Sequence, residues 1–236
     1  MTIKEVLGIT PVRLAVPTLR PHHRSVDLGD HWPPGFFDRA DPGDDADFYA
    51  FPRFVTHIDD RAVHAVRQLY DDLGVPDGRV LDLMASWVSH LRNAPRDGLV
   101  VLGMNQAELA ANPLAIERVL QDLNRDPHLP FPDAAFDAVT CCVSVDYLVR
   151  PVEVLREAAR VLRPNGVVVI TFSNRCFPTK AIRGWLETDD EGHVEIVRRY
   201  LEDAGGFGPV SAELRAEGDA FNDPLYGVWA RRRPSS

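Results

Sequence analysis

The sequence is poor in several kinds of residue, and each shortage argues against a class of protein. Its 236 residues include three cysteines and two lysines, and 26 basic residues stand against 35 acidic ones, a formal net charge of −9. Nucleic-acid backbones are bound by clustered lysine and arginine, so this balance argues against nucleic acid as the main partner. The run Arg231, Arg232 and Arg233 is short and predicts a solvated tail.

Long apolar runs are also missing. The longest strand-like apolar run, Val167 to Phe172, falls far below the roughly 20 residues that span a bilayer. Residues 1–17 mix charges and prolines with their apolar residues, unlike a signal peptide. Adjacent Cys141 and Cys142 with distant Cys176 give neither a disulfide framework nor metal-ligand spacing. We therefore expect a cytoplasmic protein with no membrane partner and no metal.

The chain divides by composition near residue 57. Residues 17–53 are rich in proline, glycine, aspartate and aromatic residues without a sustained period, which predicts an irregular segment pinned by aromatic side chains. We interpret residues 1–57 as an arm or lid and 58–236 as the main α/β domain. Apolar residues recur at helical spacing from Ile58 to Leu73 and predict a helix. We expect this helix and the arm to act together as a lid over a ligand site.

The pattern then changes to short apolar runs that alternate with helical segments. Helices are predicted over Val152 to Leu162 and His193 to Ala204. The strand-like runs are Val80 to Leu83, Leu99 to Gly103, Arg118 to Asp122, Phe136 to Val143, Val167 to Phe172, Pro209 to Leu214 and Leu225 to Arg231. Such alternation predicts a doubly wound, Rossmann-like α/β sandwich of about seven strands, mostly parallel with an antiparallel C-terminal strand.

Polar or small residues stand where four of these strands end. In an open parallel sheet, ligands bind beyond the carboxyl ends of the strands. Polar residues generally end strands, so each position alone is also explained by an ordinary loop. The four groups are Asp82 with the turn Met84 to Val88, then Gly103 to Asn105, then Asp122 to Asn124, and Ser144 to Tyr147. We expect the first turn to open the first crossover helix, with His90 just inside it.

Taken together, these segments resemble a known family. VLDLMASW, VLGMNQAELAANP, LPFPD-x-x-FD and RVLRP-x-G, which lie between Arg79 and about Asn174, are similar to the class I S-adenosylmethionine-dependent methyltransferases. The resemblance implies S-adenosylmethionine as the cofactor. It also implies contacts from Asp82, Met84, Ala85 and Ser86 to the methionine part, from Asn105 to the ribose, from Asp122 and Leu123 to adenine, and from Ser144 near the methyl donor.

Two departures from the family pattern bear on affinity. Met84, Ser86 and Val88 stand where such loops carry glycine, and a positive φ at branched Val88 would cost about 1 kcal/mol or more. Asn105 replaces the usual ribose-binding acid, and hydrogen bonds to charged groups are worth roughly 1.5 to 3 kcal/mol against about 1 for neutral ones. We expect weaker cofactor binding or a shifted loop.

The arm offers a further candidate contact. Tyr49, Arg53 and His57 are four residues apart and would share one face of a helix, with Pro52 in its first turn. Arg53 would then meet the cofactor's carboxylate, although packing of the arm on the sheet explains the pattern equally well.

The segment after the fifth strand run carries three residues of interest. Lys180 is read either as an anion contact or as a surface cation at a helix start, and Cys176 chiefly as a packed thiol. The role of neighbouring Arg175 stays open. Trp87, Tyr147 and Phe177 are each either core residues or aromatic neighbours of a sulfonium.

These residues predict methyl transfer from S-adenosylmethionine to a small molecule, with Asp146 and Tyr147 positioning the acceptor or removing its proton. The alternative is a member of the same fold that binds a nucleoside or metabolite without methylating it, as a regulator or interaction module. A nicotinamide-dependent oxidoreductase is disfavoured, because it would need G-x-G-x-x-G after the first strand.

Overall fold

The computed structural model describes residues 32–234. Within them, seven strands form one sheet in the order β3-β2-β1-β4-β5-β7-β6. The strands are β1 Val80–Leu83, β2 Leu99–Gly103, β3 Ala115–Leu120, β4 Phe136–Cys142, β5 Leu162–Phe172, β6 Ser211–Ala216 and β7 Leu225–Arg231. Strand β7 runs antiparallel to β5 and β6, and the other pairings are parallel. The predicted fold class is confirmed.

Helices cover both faces of the sheet. They are α1 Asp45–Phe48, α2 Asp60–Asp72, α3 Gln106–Ala111, α4 Pro151–Val161, α5 Arg183–Leu186 and α6 Asp190–Ala204. One core cluster joins the sheet to α4, α5 and α6, and a second joins it to α2 and α3. Because β1 and β2 are buried on both faces, they read as continuous apolar runs.

The predicted boundaries agree with the structure for three of the seven strands. The predicted bounds of β1, β2 and β7 are those observed. Strand β5 begins earlier than predicted because Leu162 pairs with Phe136 across a register shift in β4, so the Arg163 to Gly166 turn signal lies inside a strand. The prediction for β3 is displaced because this edge strand is largely exposed and has no continuous apolar run.

The helix predicted after β1 is wrong. Residues 84–98 form an irregular loop instead, and the next α-helix is α3. His90 takes a left-handed backbone conformation with φ 53°, which a helix does not tolerate. Pro95 further disfavours helical conformation in the residue before it. The left-handed conformation at the start of the loop falls on Met84, with φ 53°, and Val88 avoids the steric cost expected for it.

The helical face predicted for Tyr49, Arg53 and His57 is also wrong. Helix α1 ends at Phe48, Tyr49 is its C-terminal cap, and residues 50–59 have no helical structure. The described part of the arm nevertheless packs on the domain, with a β-bridge between Arg39 and Ile182. The division of the chain near residue 57 stays a prediction, and the part of the predicted arm in residues 1–31 lies outside the described residues.

Candidate functional site

A cavity of about 300 Å³ lies beyond the carboxyl ends of β1 to β4. Its wall combines the residues that follow these strands with arm residues 45–57 and with Arg175 to Phe177. Of the predicted site residues, the following line it: Arg53, Asp82, Met84, Ala85, Ser86, Asn105, Asp122, Leu123, Ser144 and Tyr147. The sheet topology thus brings together side chains that are far apart in the sequence.

Asp82 forms part of the inner end of the cavity. Its carboxylate accepts a hydrogen bond from Thr140 Oγ1 at 2.8 Å and is almost fully buried. Burial raises the pKa of Asp82 to about 7, although hydrogen bonds from Ser89 and Thr140 oppose the rise. A carboxyl in this state titrates near neutral pH.

The loop after β1 approaches β2 at a glycine. Ala85 N–H donates to the Leu102 carbonyl oxygen at 2.8 Å. A Cβ on Gly103 would overlap the Ala85 carbonyl oxygen, so the close approach requires glycine at that position. Such loops usually carry glycines of their own for a close backbone approach. Here the glycine that allows the approach is Gly103 in the neighbouring strand.

Asn105 holds the arm rather than presenting a free side chain. Its Oδ1 accepts from the Glu108 backbone N–H at 3.1 Å, which caps the start of α3. Its Nδ2 donates to the carbonyl oxygens of Tyr49 and Ala50 at 2.8 and 3.3 Å. The side chain lines the cavity with its hydrogen-bonding groups already engaged.

Glu108 is the acid that our interpretation of the sequence missed. One carboxylate oxygen accepts from Ser86 Oγ at 2.7 Å, and the other accepts from the Arg53 backbone N–H at 2.6 Å. Glu108 lines the cavity and joins the loop, the arm and α3. The Asn-x-x-Glu spacing from Asn105, which is typical of a helix start, is the signal that locates it.

The group after β3 forms a tight turn at the cavity wall. Asp122 Oδ1 accepts from the Asn124 backbone N–H at 2.9 Å. The Asn124 side chain donates to Asp45 Oδ2 and to the Tyr147 carbonyl oxygen, each at 2.9 Å. Leu123 is buried beside them. The turn is therefore fixed to both the arm and the segment after β4.

The group after β4 separates two predicted catalytic residues. Tyr147 lines the cavity and its hydroxyl accepts from the Phe177 N–H at 2.9 Å. Asp146 lies outside the cavity lining, because the 3₁₀ turn Val145–Tyr147 directs its side chain into the interior. Its Oδ2 is buried without a hydrogen-bond partner among residues 32–234, and burial raises the pKa of Asp146 to about 8. Asp146 therefore does not line the cavity, and its predicted role in positioning the acceptor or removing its proton stays a prediction.

Arg53 reaches the cavity from the arm. Its guanidinium lies over the Phe48 and Phe177 rings, at 4.6 and 5.3 Å from the ring centroids. Nη2 donates to the Phe48 carbonyl oxygen at 2.9 Å, while Nη1 is buried without a partner in the described part of the chain. An unpaired buried donor beside a cavity is a contact point for an anionic ligand group.

Lys180 is not a surface cation, and the anions that it contacts belong to the arm of the same chain. It is buried, and its Nζ lies 3.1 Å from carboxylate oxygens of both Asp41 and Asp45. It also donates to the Gly43 carbonyl oxygen at 2.9 Å. Lys180 thus anchors the arm to the domain, and the isolated sequence position gave no sign of the carboxylates that would surround it.

The mouth of the cavity carries a second set of side chains. Arg175 and partly buried Cys176 both line it, and Arg175 is held by Asp223, with 2.7 Å between Nε and Oδ1. His57 also lines the mouth in a left-handed conformation with φ 64°, and its ring meets Phe177 edge to face at 5.5 Å. Trp87 does not line the cavity as described; its indole N–H donates to the Val55 carbonyl oxygen at 3.1 Å.

This geometry is that of an α/β protein that binds a nucleoside-type cofactor at the end of its sheet. The methyltransferase domain family matches residues 72–170. Methyltransferase GfsG of Streptomyces halstedii is 31% identical over 134 residues, which cover 52% of this chain and 48% of that protein. The ubiquinone/menaquinone biosynthesis C-methyltransferase UbiE of Roseobacter denitrificans is 38% identical over 78 residues, covering 33% and 30%. The chain thus spans about half or less of these relatives' lengths.

Solved structures share the fold at low sequence identity. The [4+2]-cyclase SpnF matches with a TM-score of 0.53 and 18% identity, covering 73% of this chain and 82% of that one. A methyltransferase from Archaeoglobus fulgidus matches with a TM-score of 0.53 and 16% identity, covering 72% and 94%. The solved structures show the same fold, and residues 72–170 are similar to methyltransferase domains, the class of protein that uses S-adenosylmethionine as its cofactor.

Within residues 32–234, no helix has the length and apolar character needed to cross a membrane.

Proposed function

We propose that this protein transfers the methyl group of S-adenosylmethionine to a small-molecule acceptor. The observation that carries the proposal is the convergence of Asp82, Ser86, Glu108 and Asp122 on one cavity at the carboxyl ends of the strands. These side chains come from a strand, a loop, a helix and a turn of the domain, and a purely structural role would not require them to share a cavity.

The polar groups of the cavity suit the parts of S-adenosylmethionine. Asp122 and the Leu123 backbone would hold adenine, and Glu108 would accept from the ribose hydroxyls in place of the missing acid at Asn105. Asp82 and the Met84 to Ser86 loop would hold the methionine part, with the free Nη1 of Arg53 meeting its carboxylate. The bound cofactor supplies an electrophilic methyl group on a sulfonium.

The protein's own contribution is mainly positional. Ser144 and Tyr147 would border the methyl donor and orient the acceptor, because reacting atoms must be held in line for displacement. The Tyr147 hydroxyl is already fixed by the Phe177 N–H. Asp146 would act from behind Tyr147 as a positioning residue whose charge changes near neutral pH. The arm would exclude water as a lid, whereas α2, for which the same role was expected, packs on the sheet and supplies no residue to the cavity lining.

Labelled methyl transfer tests the proposal. The protein is incubated with methyl-tritiated S-adenosylmethionine and a bacterial cell extract, which is then separated into small-molecule, protein and nucleic-acid fractions. We expect label in the small-molecule fraction, and a reduction with Asp122→Ala, which should weaken cofactor binding by about 1 to 3 kcal/mol. Label confined to protein or nucleic acid, or equal label with the variant, contradicts the proposal.

A second candidate is a member of the fold that binds the nucleoside without methylating. The loop's lack of glycine and the engaged side chain of Asn105 favour it, and SpnF is a cyclase on a similar fold. Binding of S-adenosylhomocysteine without label in any fraction would select this candidate.

A further inference from the structure

An exposed apolar patch borders the cavity. Phe51, Phe54 and Val55 are 80%, 52% and 53% exposed. The Phe54 ring meets the Trp87 ring edge to face at 6.3 Å, and the Trp87 N–H donates to Val55. We call these four residues the apolar rim. A single exposed apolar residue needs no explanation, whereas a group of them marks a binding surface.

The apolar rim is continuous with the cavity. Val55 is itself part of the cavity lining, and Trp87 lies between two lining residues, Ser86 and Val88. The same arm segment supplies Arg53, which reaches the interior. A molecule in the cavity that extends outward past Val55 would therefore meet the rim.

The backbone that carries the rim is fixed. Asn105 donates to the carbonyl oxygens of Tyr49 and Ala50, immediately before Phe51. Glu108 accepts from the Arg53 N–H, immediately before Phe54. The two phenyl rings are exposed on an anchored segment, so their exposure does not result from a detached chain.

On the side of the arm, polarity changes from the cavity lining to the apolar rim. The lining carries the charged and hydroxyl groups that suit the cofactor, while the rim beside Val55 offers hydrocarbon surface. We propose that the acceptor carries an extended apolar part, with its methylated end in the cavity and its hydrocarbon part on the apolar rim. This inference rests on the proposed function, since it assigns the interior to the cofactor.

A series of 4-alkylphenols from ethyl to octyl tests the inference. Their affinities are measured by calorimetry in saturating S-adenosylhomocysteine. Each methylene that leaves water should raise affinity by up to about fourfold, which corresponds to about 0.8 kcal/mol. We expect affinity to rise by at least twofold per methylene until the rim is covered.

Substitutions then locate the effect. Phe51→Ser and Phe54→Ser should flatten the dependence on chain length, while melting temperature and S-adenosylhomocysteine affinity stay unchanged because both rings are exposed. Ile116→Thr is the matched control: Ile116 is 67% exposed on β3 and lies against Gly98, at the other end of the strands. The Ile116→Thr variant should keep the full dependence of affinity on alkyl chain length.

Failure of the inference is separable from failure of the proposed function. If S-adenosylhomocysteine binds but affinity is independent of chain length, or the rim variants keep the dependence, the inference is overturned and the function stands. If S-adenosylhomocysteine does not bind, the function itself fails. Two further outcomes would overturn the inference if affinity shows no dependence on chain length. Flotation with phosphatidylcholine vesicles that is lost in the rim variants would assign the rim to a membrane. Self-association in light scattering that is lost in these variants would assign it to a second copy of the chain.

Discussion

At the scale of single residues, the proposed function gives to Asn105 and Glu108 together the role that one acid has in the family pattern. The Asn105 amide oxygen caps α3 and the amide N–H holds the arm, and only the second of these tasks requires a donor. Glu108 brings the negative charge to the cavity from the first turn of the same helix. In the proposed function the acid lies three residues further along the chain, and the weaker cofactor binding expected from Asn105 stays a prediction.

Asn105→Asp separates the two tasks of this side chain. The aspartate keeps the helix cap but loses the donor to Tyr49 and Ala50. We expect faster hydrogen exchange in residues 49–54 and weaker S-adenosylhomocysteine binding, with most of the stability retained. Asn105→Ala should in addition lower the free energy of unfolding by about 1 kcal/mol through loss of the cap. Unchanged exchange in the aspartate variant would show that the amide does not hold the arm.

Glu108→Gln tests the charge. The glutamine keeps the size of the side chain and an acceptor for Ser86, but hydrogen bonds to a neutral group are weaker by roughly 1 kcal/mol. We expect S-adenosylhomocysteine affinity to fall about fivefold or more. Adenine, which has no ribose, should lose nothing, and calorimetry with both ligands distinguishes the cases. An equal loss for adenine would mean that Glu108 acts only on the architecture of the loop.

At the scale of elements, the loop of residues 84–98 forms the part of the site that differs most from the predicted arrangement. It replaces a crossover helix, turns at Met84 and packs its backbone on Gly103. The glycine requirement has moved from this loop to β2.

Gly103→Ala and Ala85→Leu test this arrangement as a pair. The added methyl of Gly103→Ala overlaps the Ala85 carbonyl oxygen, so the loop must shift, and overpacking of this kind costs about 1 to 3 kcal/mol. We expect it to lower both the melting temperature and S-adenosylhomocysteine affinity. Ala85→Leu extends into the cavity and should abolish binding with little loss of stability. If Ala85→Leu melts early yet binds normally, the loop is structural.

The elements also show what a single sequence reveals. Strands β1 and β2 were predictable to the residue because a strand that is buried on both faces has a continuous run of apolar residues. The polar residues at the ends of four strands predicted the cavity wall. The absence of a helix after β1 was not predictable, because nothing in the neighbouring sequence indicates the left-handed conformation of His90. Nor were the burial of Lys180 and the inward turn of Asp146, which depend on residues distant in the chain.

At the scale of the whole molecule, two buried carboxyls set the response to pH. Burial raises the pKa of Asp82 to about 7 and of Asp146 to about 8, above their unfolded values. Each therefore keeps its proton in the folded chain over a range where the unfolded chain has lost it, so stability falls as pH rises. Histidines with lowered pKa, such as His90 at about 4, bind protons in the unfolded chain alone up to about pH 7 and oppose the fall there.

We expect the free energy of unfolding to decrease between pH 7 and 8, by up to about 1.4 kcal/mol per pH unit for each proton involved. Asp146→Asn should remove most of this decrease, and Asp82→Asn the smaller part, which is largest near pH 7. Urea unfolding at a series of pH values measures this. Stability that rises across the range, or an unchanged slope in both variants, would contradict the assignment.

The central claim is that the cavity at the strand ends is a site for S-adenosylmethionine. Calorimetric titration of the folded protein with S-adenosylhomocysteine, with NAD as the comparison ligand, tests it most directly. The account predicts one-to-one binding of S-adenosylhomocysteine that Asp122→Ala weakens, and much weaker or no binding of NAD. No heat and no thermal shift with S-adenosylhomocysteine at millimolar concentration, or tighter binding of NAD, would contradict it.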